Sequence, residues 1–269
     1  MPKVNANGIE LYYEASGAGE PLIFIPGLGV SAELWSLQTK FFQSEYFTVS
    51  YDLRGAGRSS KPEGPYTMDQ MAKDLNGLLD ALEIDQPVNL VGASMGGIIA
   101  QAFIHEYPQR VKRLVLACTG VSVGDPHITY PPQFVTDKLA NPGTTPEQKV
   151  DTFLQISYHP SFVAAHPELK QFLLSGRVEP QPAYAYRAQL AACADARPYY
   201  QWLREIAVPV LVIHGDDDLI WPLQNAKTLM QGIGDRAELV VLPKAGHVFM
   251  QEQPAQFNQA LREFLRKPS

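Results

Sequence analysis

Ser94 sits in Gly92-Ala93-Ser94-Met95-Gly96, a Gly-x-Ser-x-Gly pattern that follows the apolar run Val88-Asn89-Leu90-Val91. A serine exposed on a tight strand-to-helix turn is a nucleophile in waiting, and Gly92, Gly96 and Gly97 give strand and helix room to approach. The hydroxyl is weak at neutral pH and needs a base within hydrogen-bond reach, itself oriented by a third group. Of six histidines, His247 is the best placed, in Lys244-Ala245-Gly246-His247 just after the apolar run Leu239–Leu242. His214 ends another run and is the second choice, while His105 is read as a helix-end residue and His127, His159 and His166 as surface groups. The orienting acid is expected in His214-Gly215-Asp216-Asp217-Asp218, where three aspartates compete and spacing does not rank them.

These groups need a frame that gathers loops at one edge. Apolar runs of strand length at Leu22–Ile25, Phe47–Tyr51, Val88–Val91, Leu114–Ala117, Val210–Ile213 and Leu239–Leu242 alternate with helical stretches. Continuous Val/Ile/Leu runs predict parallel strands buried on both faces, and the alternating Ile9–Glu14 predicts an outer antiparallel strand. In such a sheet, ligands gather beyond the carboxyl ends of the strands. Thr67-Met68-Asp69-Gln70 reads as a capping box opening a helix through Met71, Leu75, Leu78, Leu79 and Leu82. Further helices are expected from Met95 to about Glu106 and from Pro254 to Phe264. Residues 121–205 break the rhythm with ten prolines among short aromatic-rich helical pieces. They are expected to form a helical lid inserted into a core of residues 1–120 and 206–269, since a structureless loop of that length is rare.

Composition excludes several classes. With 45% hydrophobic and 19% charged residues the chain has ample material for a core, and 28 acidic against 22 basic residues give a net charge of −6. That balance opposes nucleic-acid binding, which needs clustered cations. Only Cys118 and Cys193 occur, without the spacing of a metal site or disulfide framework. No apolar run is long enough for a membrane span and no leader pattern opens the chain, so an unanchored cytoplasmic protein is expected.

Together these segments resemble the α/β-hydrolase superfamily over nearly the whole chain: Phe24-Ile25-Pro26-Gly27-Leu28-Gly29, Tyr51 to Ser59, Gly92 to Gly96, Gly215 to Pro222, and Gly246-His247. The chain order serine, aspartate, histidine is the one expected of that fold. The resemblance implies a mostly parallel twisted sheet with helices on both faces and an inserted lid. It selects Asp218 as the acid, through the spacing Gly215, Asp218, Pro222, and implies backbone oxyanion donors at Leu28 and Met95. Pro26 stands where the family usually carries histidine, which leaves the amide of residue 28 intact. Arg54 is assigned a bracing role. The lid segments Tyr158–Phe162 and His166–Glu168 are similar to 3-oxoadipate enol-lactonases and related small-ester hydrolases. The implied activity is hydrolysis of a small-molecule carboxylic ester or lactone through an acyl-enzyme, with no metal or organic cofactor. Alternatives are a lactonase on an acidic lactone, a C–C bond hydrolase, a perhydrolase, and a receptor that retains the triad. Tyr130, Phe134, Tyr158 and Trp221 are candidate substrate contacts, and Arg177 and Arg187 are surface cations that an acidic substrate would recruit.

Overall fold

The chain runs β1 (Lys3–Ala6), β2 (Ile9–Ser16), β3 (Glu20–Ile25), α1 (Ser36–Phe42), β4 (Tyr46–Tyr51), α2 (Met68–Ala81), β5 (Val88–Ala93), α3 (Met95–Glu106) and β6 (Val111–Ala117). An all-helical stretch follows: α4 (Gln133–Ala140), α5 (Pro146–Ser157), α6 (Pro160–Ala165), α7 (Leu169–Leu174), α8 (Ala183–Ala192) and α9 (Tyr199–Trp202). The alternation then resumes with β7 (Val210–Gly215), α10 (Gln224–Ile233), β8 (Ala237–Leu242), α11 (Phe249–Glu252) and α12 (Pro254–Leu265). This computed structural model describes residues 2–176 and 181–268.

Among the described residues the strands form one sheet in the order β1-β2-β4-β3-β5-β6-β7-β8, parallel from β4 through β8. β2 pairs antiparallel with both β1 and β4, as the alternation of Ile9–Glu14 predicts. Successive strand residues feed opposite faces, which is why the runs are apolar at consecutive positions, with Thr48, Ser50 and Asn89 as buried polar exceptions. Ile23, Leu90, Leu114 and Val212 pack with Met71, Leu75, Ile98, Phe103 and Leu229 of α2, α3 and α10. Their neighbours Leu22, Phe24, Val91, Val115 and Leu211 pack with Trp35, Phe42, Phe257 and Leu261, on and beside α1 and α12. The helix over 68–81 has the expected capping box: Gln70 N donates to Thr67 Oγ1 at 3.1 Å and Thr67 N to Gln70 Oε1 at 3.1 Å.

Two strand readings change. β8 is not buried on both faces: it is the last strand, paired on one side only, and Val241 is 39% exposed. β1 is an addition, joined to β2 through Asn7 and Gly8 at φ 47° and 80°. That Asn-Gly pair between strands is the signature of a two-residue hairpin turn, which needs positive φ at both positions.

The helices α4 to α9 occupy the segment between β6 and β7, with no strand there among the described residues. Nor is any described helix long and apolar enough to cross a membrane.

Candidate active site

Ser94 is the single residue between β5 and α3, and its backbone turns at φ 55°, ψ −121°. A non-glycine residue pays on the order of 1–3 kcal/mol for such a conformation, so the surroundings must impose it. They do. Ser94 N donates to Ala117 O at 3.0 Å on β6, while Ser94 O accepts from Gly97 N at 2.9 Å and Thr119 Oγ1 at 2.7 Å. A Cβ on Gly96 would lie 2.4 Å from Ile25 O and 2.6 Å from Pro26 O, so only glycine lets α3 start this close to the end of β3. The serine side chain faces that same loop: a Cβ on Gly27 would stand 3.2 Å from Ser94 Cβ and 3.7 Å from Oγ.

Leu28 follows Gly27 and Met95 follows Ser94, and neither amide donates a hydrogen bond among the described residues. The first amides of a helix have no partner within it, so Met95 N–H is free to meet an anion. The loop that carries Leu28 is backed by Gly96, against Pro26 O, and by Ser94, against Gly27.

Asp218 and His247 follow β7 and β8 at the same edge. His247 Nδ1 lies 2.8 Å from Asp218 Oδ2. The other carboxylate oxygen, Oδ1, accepts from Ile220 N and Trp221 N, both at 2.9 Å. The carboxylate is thereby fixed against rotation, and the imidazole is held by its inner nitrogen. Its Nε2 has no hydrogen-bond partner among the described residues. Ser94 and His247 are buried to 9% and 7% exposure, so a proton passed between such groups would move in a site with little water.

The three aspartates have separate places. Asp216 Oδ1 accepts from Ala245 N at 3.4 Å and Asp217 Oδ2 lies 3.1 Å from His159 Nε2, leaving Asp218 alone beside His247. His214 is fully buried, and its Nε2 donates to Trp221 O at 2.6 Å. Desolvation pushes its pKa below the ordinary value despite the attraction of Asp218 at 3.5 Å, so it is a neutral structural imidazole. His105 stacks on Trp202 at 3.9 Å and bonds Glu205 at 3.0 Å, remote in role from the serine.

The candidate substrate contacts divide. Tyr158 is buried, its hydroxyl donating to Gln251 Oε1 at 2.6 Å, and it follows Ser157, whose carbonyl receives His247 N. Trp221 is buried beside Asp218. Tyr130 and Phe134 are 62% and 45% exposed, and no hydrogen bond or ring contact joins either to Ser94 or His247. Arg187 is exposed and Arg177 lies outside the described residues. Arg54 pairs through two 2.6 Å bonds with buried Asp74 on α2.

Sequence reasoning missed Glu252 and Gln189. Glu252 accepts from Gly246 N at 3.1 Å and His159 N at 3.3 Å, and burial pushes its carboxyl pKa up. Gln189 had a legible signal: it lies on one helical stripe with Ala185 and Ala192, all buried, and a long polar side chain in a stripe of alanines must find partners inside.

Comparison with known proteins agrees with this architecture. A family model described as the alpha/beta hydrolase fold matches residues 20–254. The 3-oxoadipate enol-lactonase 2 of Acinetobacter baylyi is 33% identical, over 98% of this chain and 96% of that protein. The 2-hydroxymuconate semialdehyde hydrolase of Pseudomonas sp. (strain CF600) is 32% identical, over 98% and 93%. A thermophilic esterase from Thermogutta terrifontis superposes with a TM-score of 0.83 at 29% identity, covering 99% of this chain and 98% of that one.

Proposed function

The chain belongs to the alpha/beta hydrolase fold family, a family of hydrolases among its relatives here, and on that premise we propose that it is a serine hydrolase of small carboxylic esters or lactones. Ser94 attacks the carbonyl carbon while His247 takes the hydroxyl proton through Nε2 and returns it to the leaving alkoxide. Asp218 holds the ring and stabilises its charged form. The oxyanion rests against the amides of Leu28 and Met95. Water, activated by the same histidine, then releases the acid from the acyl-enzyme. The insertion over residues 121–205 acts as the lid. No metal or organic cofactor enters the scheme.

The observation that carries the reading is the fixed pair His247 Nδ1 and Asp218 Oδ2 at 2.8 Å, at the sheet edge where Ser94 forms its elbow. The test is hydrolysis of a panel of p-nitrophenyl esters and lactones by the wild type and by Ser94→Ala. Loss of the nucleophile is expected to lower kcat on the order of 10⁶-fold. Normal turnover by the folded variant overturns the reading.

A second reading has its own support in the 32% identity to a semialdehyde hydrolase. The same groups would cleave a C–C bond in a vinylogous diketone, and including such a substrate in the panel separates the two.

A further inference from the structure

Gly29 N–H donates to Gln189 Oε1 at 3.2 Å, a contact between the loop after β3 and helix α8 of the insertion. Gln189 is fully buried, and its Nε2 donates to Arg54 O at 2.7 Å. Gln181, just before α8, donates through Nε2 to Gln189 Oε1 at 2.9 Å and to Gly55 O at 2.8 Å. The orientation of the Gln189 amide follows from its neighbours: Gly29 N–H only donates and Arg54 O only accepts, so a flipped amide would oppose like groups at both ends.

The strut falls on the loop that carries Leu28. Leu28 lies between two glycines that are held from opposite sides. Gly27 packs against Ser94. Gly29, at φ 74°, would bring a Cβ within 3.1 Å of the Tyr186 ring on α8, and its N–H is the one that Gln189 binds. The Leu28 N–H lies in the Gly27–Leu28 peptide plane, and the next plane, Leu28–Gly29, hinged to it at the Leu28 Cα, is the one anchored by Gln189. An amide that must meet a developing oxyanion gains its value from being aimed beforehand rather than on demand.

The geometry points to Gln189 as a positioning residue of the oxyanion hole, a side chain of the insertion that aims the Leu28 amide by holding Gly29 and ties that loop to the Arg54–Gly55 turn. It never touches substrate. This inference rests on the reading of Ser94 as nucleophile and Leu28 as donor. It makes the insertion part of the catalytic apparatus as well as its cover, because separating α8 from the core would release the Gly29 amide.

The test uses Gln189→Met, which keeps the length of the side chain and removes its three hydrogen bonds, and Gln189→Glu, which keeps the acceptor for Gly29. Removing an entire oxyanion donor typically lowers kcat about 10²–10³-fold, so loosening one is expected to lower it roughly 10-fold in Gln189→Met with little change in KM. Affinity for a trifluoromethyl ketone, which forms a tetrahedral adduct at the serine, falls by the same factor. Gln189→Glu is faster than Gln189→Met. Wild-type kcat in Gln189→Met overturns the proposal, as does equal loss in both variants. Residue-resolved hydrogen exchange of the wild type bears on it whether or not either variant folds: protection of the Gly29 amide is expected, and exchange at the unprotected rate overturns it. Fluorophosphonate labelling keeps the two readings apart. Wild-type protein that labels at Ser94 and turns over, beside an equally active Gln189→Met, sinks the strut alone, whereas wild type that does not label at Ser94 sinks the serine reading and the strut with it.

Discussion

The amide of His247 donates to the carbonyl of Ser157 across 2.8 Å, and Val248 donates to the same oxygen at 3.1 Å. The loop that carries the proposed base is thus docked on the last residue of α5, inside the insertion. Glu252 completes the joint by receiving Gly246 N and His159 N, one from each side. His159 in turn reaches Asp217 on the loop after β7.

Glu252→Ala leaves the buried amide of Gly246 without an acceptor, a loss of about 1–3 kcal/mol, and frees the partly buried amide of His159 as well. Urea unfolding should show a lower midpoint, and kcat should fall with it because the histidine loop loses its anchor. Glu252→Gln, which keeps an acceptor oxygen, should lose less of both.

Asp218→Asn preserves an acceptor for Ile220 and Trp221 but offers the imidazole an amide in place of a carboxylate. A wrong histidine tautomer is expected, with kcat lower by on the order of 10⁴, as in other triads of this type. Asp216→Asn and Asp217→Asn, measured beside it, should stay close to the wild type, since neither touches His247. Equal losses in all three would contradict the assignment of Asp218.

Gly96→Ala places a methyl group against two backbone carbonyls, Ile25 O and Pro26 O. Backbone yields less readily than side chains, so about 1–3 kcal/mol of destabilisation is expected, along with a drop in kcat as the loop that carries Leu28 is pushed away. Thermal unfolding and ester turnover measure the two effects.

His214 predicts the sign of one pH dependence. Its pKa is lowered by burial, so below the ordinary value of 6.5 the unfolded chain binds a proton that the folded protein resists. Its contribution to stability is present above pH 6.5 and is lost as pH falls through the folded value, at a slope of up to about 1.4 kcal/mol per pH unit. His214→Gln, whose amide also donates to Trp221 O, removes the titrating group. Unfolding curves between pH 8 and 5 should show a shallower loss in the variant than in the wild type.

Much of the frame was legible because burial writes itself into runs. Strands covered on both faces must be apolar at consecutive positions, so β3 to β7 could be read from Leu22–Ile25, Phe47–Tyr51, Val88–Val91, Leu114–Ala117 and Val210–Ile213. The capping box at Thr67 and the need for glycine at position 92, where a Cβ would meet Gly96 O, are equally local, since each reflects sterics or hydrogen bonds within a few residues. β8 misled because an apolar run does not reveal whether a strand has one neighbour or two. β1 escaped because only Ala6 of its four residues is buried, although the Asn7-Gly8 turn marked it.

Resemblance ranked the aspartates; spacing did not. Asp216, Asp217 and Asp218 are adjacent and chemically identical, and what separates them is which loop each one meets across space: Ala245, His159 or His247. Glu252 and Gln189 belong to the same class of fact. Composition and periodicity can mark a polar side chain as buried, but its partners come from segments far apart in the chain, and a hydrogen bond depends on where the fold brings the other atom. The amino-acid order therefore carried the strands, the caps and the serine turn, while the pairing of Asp218 with His247 arose from the adjacency of β7 and β8 in the sheet, and the docking of the histidine loop on Ser157 and the grip of Gln189 on Gly29 from packing the insertion against the core.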